Sequence, residues 1–577
     1  MLPSLRRLSR SMSPAHCPAP AGLRAASLVS LLALSLAACG GGGGSSPAPS
    51  SNPVTSGSSG STGTTGTTDT SGGSGSTGGA GSTDTGGSGS TGGTGSTDTG
   101  GSGSTGSTDP GTGSTGGTGS TDPGTGSTGG TGSTGTTPTS TLPLATGSGR
   151  TYLVGAGGTL PTGATRVATP TAVPWSTLPA GSLVLISAGT YAGVTTIAAV
   201  GTQANPIVIT AYDPATPPVL SNSVDFQGAA WVQVSHLTVQ APTYAGFIIR
   251  KASHHLTVSD TVVNKAFAGV NITDAAGTGH RILRNTFADS VVDGINAEVN
   301  ASAAERTLIQ YNTIVRSGVH GIEVRASHYQ VEYNTVSASG QTSGGASGIH
   351  VFSGSASEDS GDDNLIRYNA SYANLDTRAY DGNGIEIDQW CDANTVAFNQ
   401  VWGNDGAGII VYDGSSNVLQ NNTAWNDGVD SGHMMAARAE IVVSGTSAST
   451  VAGNRVWNNV AESTRASVSA LYVDPRAVGG GNTIGANLLY NAAGGTVLRW
   501  TDSATRQTAA LIDAITGTPG NVVAAPAFAN TAAPLSAGLR LTALPSLHGV
   551  LPTGLLDLAG TAPVSGESFF GAYYTSP

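Results

Sequence analysis

The sequence predicts an all-β fold: a single-stranded right-handed parallel β-helix, a solenoid closed by a C-terminal cap and preceded by a disordered linker. Three observations predict it. Glycine-led tetrapeptides recur at spacings of 23 to 36 residues, beginning with Gly246-Phe247-Ile248-Ile249 and ending with Gly408-Ile409-Ile410-Val411. Fixed-phase self-similarity of this kind marks a repeat architecture. An asparagine series, Asn285, Asn312, Asn334, Asn369, Asn399 and Asn422, keeps a matching phase and is placed to hydrogen-bond from coil to coil. Helix-length periodic runs are scarce, while short alternating runs read as strands. A leucine-rich solenoid needs its leucine consensus and a propeller needs four strands in about 40 residues, and neither fits. Coils of unequal length with inserted loops suit a β-helix.

The elements follow in chain order. Arg6, Arg7 and Arg10 precede the apolar run Leu28–Leu36, which has the length of a signal h-region and is too short to span a bilayer. Leu36-Ala37-Ala38-Cys39-Gly40 then resembles the lipobox of bacterial lipoproteins. The resemblance implies removal of residues 1–38, acylation at Cys39 and sorting to the outer membrane or cell surface of a Gram-negative bacterium. Residues 39–147 repeat Gly, Ser and Thr, bury no core and form a tether with a mean reach of about 60 Å. The β-helix is expected over 148–503 and its capping segment over 504–577.

Composition excludes several classes. A net charge of −12 disfavours nucleic acid, whose phosphates call for a basic surface. Of three cysteines, Cys17 lies in the removed segment and Cys39 carries lipid, so Cys391 has no disulfide partner within a mature monomer. Lysine occurs only at 251 and 265, which leaves few candidates for a lysine base.

Gly189-Thr190-Tyr191 and Gly201–Ala211 resemble the opening coils of the chondroitinase B and alginate lyase family. Ala525-Pro526-Ala527-Phe528, Asp557-Leu558-Ala559-Gly560 and Gly571-Ala572-Tyr573 resemble the closing segment of bacterial surface β-helix proteins. Gly321–Ser327 followed by Asn334-Thr335 is similar to the stretch where chondroitinase B relatives place calcium ligands and a lysine base. Arg325 stands near that lysine's position, and the Arg-His-Gly expected after the next strand is missing.

Strand alternation sorts the repeat. The first and third residues after each glycine are apolar and form core stacks. The second and fourth point outward, so Glu323, His350 and Glu386 occupy adjacent rungs, with Arg325 beside Glu323 and Asp388 beside Glu386. Asp293, His320, Asp381 and Asp405 flank the same groove. Three carboxylates crowded in a charge-poor region cost stability unless a cation or a function compensates.

The catalytic candidates are therefore Glu323, Arg325, His350, Glu386 and Asp388. Arg250, Asn296, Phe352, Trp390 and Tyr412 are the candidates for holding substrate. A groove along stacked strands matches a polysaccharide. The family resemblance implies β-elimination on a uronic-acid polymer, with calcium as the candidate cation on Glu323, Glu386 and Asp388, Arg325 as base or charge neutraliser and His350 as proton donor. A glycoside hydrolase is the rival, because Glu323 and Glu386 lie about 9.6 Å apart by strand spacing. Val319-His320-Gly321 after Asp293-Gly294 loosely resembles polygalacturonases. A non-catalytic glycan binder or adhesin, monomeric like the enzymes, is the third expectation.

Overall fold

The computed structural model describes residues 145–575 except 241–242, 343, 431, 433–438, 502–503, 544 and 546. The expected signal segment, the acylated Cys39 and nearly all of the expected linker lie outside the described residues.

Successive coils of the chain lay short strands on three sheets, A, B and C, which hold 14, 13 and 13 of the described strands. One coil contributes Arg281–Leu283 to A, Thr286–Ala288 to B and Ile295–Ala297 to C. The next contributes Thr307–Gln310, Thr313–Val315 and Ile322–Val324. Neighbouring described strands pair parallel, except where Leu498–Trp500 meets Ala504–Arg506 antiparallel. This is a parallel β-helix.

The core is built from stacks of identical position. Ile295, Ile322, Ile349, Ile385 and Ile409 lie in register on consecutive strands of sheet C and are fully buried in one apolar core. Each such side chain contributes about 1.5–3 kcal/mol by burial.

The turn from sheet A to sheet B explains the asparagines. Its first residue takes a left-handed conformation without being glycine, as in Tyr311, Tyr333, Tyr368 and Phe398, with φ of 55–60°. That conformation is uncommon for bulky side chains. The asparagine that follows compensates. Asn399 Oδ1 accepts from the backbone and side-chain nitrogens of Asn369 at 2.9 and 3.0 Å, while its Nδ2 donates to Ile366 O and Asn422 Oδ1. The aromatic residues stack on one another outside the turn, with Tyr333 4.8 Å from both Tyr311 and Tyr368.

The repeat glycines serve close approach and not a left-handed turn. Gly321 has no left-handed φ; a Cβ there would lie 2.2 Å from Val336 Cγ1 on sheet B. The position is small because the chain passes close to the neighbouring sheet as it enters sheet C.

Both ends are plugged. Trp175 enters the core at the N-terminal end, and Ile512 of the helix Ala509–Thr516 enters it at the other. The C-terminal residues also fold back along the side: Tyr368 Oη donates to Leu556 O, Asn421 Nδ2 to Phe569 O, and Tyr574 packs on Phe398. Cys391 is a free, buried thiol. Among the described residues no helix is long and apolar enough to cross a membrane.

Candidate functional site

Sheet C positions the site. Its register pairs Asn296 with Glu323, Glu323 with His350, and His350 with Glu386, so these side chains form one outward column. Two residues further on, Arg325 N donates to Ala297 O, Phe352 N to Val324 O and Asp388 N to Val351 O. The ladder thus continues, and Arg325, Phe352 and Asp388 form a second column beside the first.

A third column stands just before the repeat glycines. His320 N donates to Asp293 Oδ1 at 3.0 Å, and Ser347 N donates to His320 Nδ1 at 3.1 Å. Ser347 Oγ and Asn383 Nδ2 in turn donate to Glu386 Oε2 at 2.6 and 3.0 Å. Ser347 and Asn383 escaped the sequence reading, although a signal was there. The residue before the glycine is alanine in outer coils, at Ala245, Ala268 and Ala407, and polar only in the middle ones.

The five catalytic candidates come together, on the outer side of the sheet as the alternation requires, but they do not form an open polar face. The side chains of His350, Asp388 and Glu323 are only 3, 10 and 13% exposed. His350 Nε2 lies 3.4 Å from Asp388 Oδ2, and its Nδ1, which has no hydrogen-bond partner, lies 4.0 Å from Glu323 Oε1. The ring is packed between His320, at 4.2 Å between centroids, and Phe352, at 5.6 Å. Arg325 places its guanidinium 5.2 Å from the centre of the Phe352 ring, and that group forms no hydrogen bond to another described residue.

Electrostatics divide the two histidines. Burial alone would push the His350 imidazole down, but its bond to Asp388 and the charges of Glu386, Asp388 and Glu323 outweigh burial and raise its pKa to about 9. It is a cation at neutral pH. Burial and the charge of His350 hold His320 well below the usual range, so His320 is neutral. With Nδ1 accepting from Ser347, its proton sits on Nε2. Burial also drives the acids upward: Asp293 with help from Glu323, Asp381 from Glu386 and Asp388, and Glu386 from Asp388. Burial and Glu298 push Glu323 up against the pull of His350 and Arg325.

The substrate-holding candidates divide. Asn296 joins the column, donating to Glu298 Oε1 at 3.1 Å with its own Oδ1 unpartnered. Phe352 is buried as packing between Arg325 and His350. Arg250 is committed to Asp225 by bonds of 2.9 and 2.6 Å. Tyr412 packs on an apolar cluster that includes Ile410, Val442 and Tyr472. Trp390 lies beyond the strand end, in a turn, and lines a separate cleft with Asp359, Asp362, Asp392 and Asp413. Asp405 is engaged elsewhere, accepting from Asp376 N.

Two groups bring ligand atoms within 4.8 Å of one another: His320, Glu323 and His350, and His350, Glu386 and Asp388. They do not fit calcium, which takes six to eight oxygens. Each group depends on at least one histidine nitrogen, where calcium calls for oxygen.

The model of the right-handed β-helix region matches residues 222–424. A search of curated proteins finds no match. Among solved structures the chain is similar to an alginate lyase from Paenibacillus sp. str. FPU-7, at 16% identity over 46% of this chain and 94% of that one, with a TM-score of 0.36. It is also similar to a mannuronic-acid-specific polysaccharide family 6 lyase from human gut microbiota, at 14% identity over 61 and 82% of the two chains, with a TM-score of 0.37. A periplasmic alginate epimerase is similar at 15% identity over 57 and 76%, with a TM-score of 0.35. Residues 222–424, which carry the whole candidate cluster, are a right-handed β-helix region.

Proposed function

We propose that the protein is carbohydrate-active and cleaves an acidic, uronic-acid polysaccharide by β-elimination at the outer face of sheet C. The observation that supports this most is a cationic His350 held between Glu323 and Asp388, with Arg325 unbonded on the same face. Elimination needs a positive group for the substrate carboxylate, a base for the neighbouring C–H and a proton for the departing oxygen. Arg325 supplies the first. A guanidinium keeps its proton in a protein, so it serves as neutraliser rather than base.

Glu323, strengthened as a base by burial, takes the proton from C5. The C4–O bond breaks as the C4–C5 double bond forms, and His350 Nδ1–H protonates the leaving oxygen. Glu323 then returns its proton to His350, 4.0 Å away. His320 positions the ring by stacking, and Ser347 and Asn383 orient Glu386. In this reading Cys39 carries the lipid that tethers the domain to the outer membrane.

The test is a panel of pectate, alginate and glycosaminoglycans, followed by unsaturated-uronate absorbance and by new reducing ends. Both signals together support elimination, and Glu323→Gln is expected to lower turnover by about 100-fold or more. A second reading rests on Glu386, whose pKa burial and the charge of Asp388 push up and which would act as a hydrolase's acid opposite Glu323. Reducing ends without absorbance would establish it in place of the lyase. Neither signal, on neutral polymers as well, would leave a glycan-binding protein.

A further inference from the structure

A second cleft, of about 760 Å³, lies on the outer face of sheet A and shares no residue with the cluster on sheet C. Its floor is a row of side chains on four adjacent strands, Gln233, Thr257, Arg281 and Leu308, held in register. Their strand neighbours Val234, Val258, Ile282 and Ile309 fill the core, so alternation sends this row outward. One wall is the pair Trp231 and His255, stacked with ring centroids 4.0 Å apart and planes 20° from parallel. Gly279 keeps that wall open to its neighbour coil. It has a left-handed φ, and a Cβ there would lie 2.9 Å from the His255 ring.

Three arginines reach the cleft, in a chain with 23 basic against 35 acidic residues. Arg284 is held by Asp260 through two bonds of 2.8 Å, and Arg306 donates to the carbonyls of Tyr329 and Asp363. Arg281 is exposed, and its guanidinium forms no hydrogen bond or ion pair with another described residue. The acid at the rim, Glu305, faces His255 Nε2 at 3.7 Å. The floor therefore offers a free guanidinium, an amide and a hydroxyl beside an aromatic pair. A guanidinium grips a carboxylate through two parallel bonds. An aromatic face packs against the apolar side of a ring.

We propose that this cleft is a second, non-catalytic binding site for an anionic polysaccharide, with Arg281 taking a sugar carboxylate and Trp231 and His255 forming the platform beneath a ring. The identity of the polymer class rests on the function proposed above; the site itself rests on the cleft. Holding one long chain at two places raises the effective concentration of the polymer at the sheet C cluster.

Calorimetric titration of the whole chain carrying Glu323→Gln, which keeps the polymer intact, tests this with oligogalacturonate and oligomannuronate as probes. Arg281→Gln and Trp231→Ala are each expected to weaken one binding step at least about tenfold, the scale of losing one charged hydrogen bond, and to leave the unfolding midpoint unchanged. Added salt should weaken the same step, and cello-oligosaccharides should not bind there. Unchanged affinity in both variants overturns the proposal, as does equal binding of single-stranded DNA. Arg281-dependent binding in a protein that cleaves none of the panel sustains this site while the catalytic reading falls. Cleavage with Arg281-independent binding does the reverse.

Discussion

Two columns of buried polar side chains climb the same coils and differ in kind. At the turn between sheets A and B, Asn312, Asn334, Asn369, Asn399 and Asn422 each donate twice and accept twice through the amide, and their neighbours in the ladder are asparagines. On sheet C, Asn296, Glu323, His350 and Glu386 share the same coil-to-coil spacing, but the acids are pushed upward and His350 Nδ1 and Asn296 Oδ1 lack hydrogen bonds. Burial is common to both; satisfaction is not. A buried polar group without its partner costs about 1–3 kcal/mol. The ladder returns stability for its burial, and the sheet C column holds its crowded charges at the expense of stability.

The largest expected effect breaks the ladder. Asn399→Ala removes four side-chain hydrogen bonds and leaves buried donors and acceptors on Asn369, Ile366 and Asn422 unmatched. We expect a loss of about 3–5 kcal/mol in denaturant unfolding, and a loss under about 1 kcal/mol would mean that the turns hold without it.

The sheet C column responds to pH instead. His350 has its folded pKa raised from 6.5 to about 9, so its contribution to stability is complete below 6.5 and is lost as pH rises through about 9. The unfolding midpoint of the wild type should fall between pH 7 and 10, and by less in His350→Gln. Parallel pH profiles of the two proteins would show that His350 is not the charged centre.

The smallest effect lies where the two kinds of column meet. A shorter ladder runs from Asn374 to Asn404 and ends on Asp427, whose Oδ1 accepts from both nitrogens of Asn404. Burial raises Asp427 to about 7 against those bonds, and its backbone N–H donates to the buried Glu440. Because the folded pKa is raised, the stability linked to that proton is lost as pH climbs through about 7. Asp427→Asn continues the ladder without a charge. It should stabilise the protein by about 1 kcal/mol at pH 8 and by less at pH 5, read from chemical denaturation.

The sequence by itself determined the coil, its core stacks and the register that brings Glu323, His350 and Glu386 together, because a period-two strand repeated at a constant phase leaves one choice of facing partners. The asparagine ladder was legible for the same reason. Only the tertiary structure decided what the side chains do once aligned. Alternation says that Phe352 and Arg250 leave the core but not that Phe352 is covered by Arg325 and His350, or that Arg250 is bound to Asp225. It fixes neither the different charge states of His320 and His350 nor the misfit to calcium, since both depend on burial and on which side chains meet. The cleft around Arg281 was equally invisible, because its wall comes from Trp231 and His255 in turns whose direction no strand pattern sets. Phase belongs to one chain; burial, charge and enclosure belong to neighbours that only folding supplies.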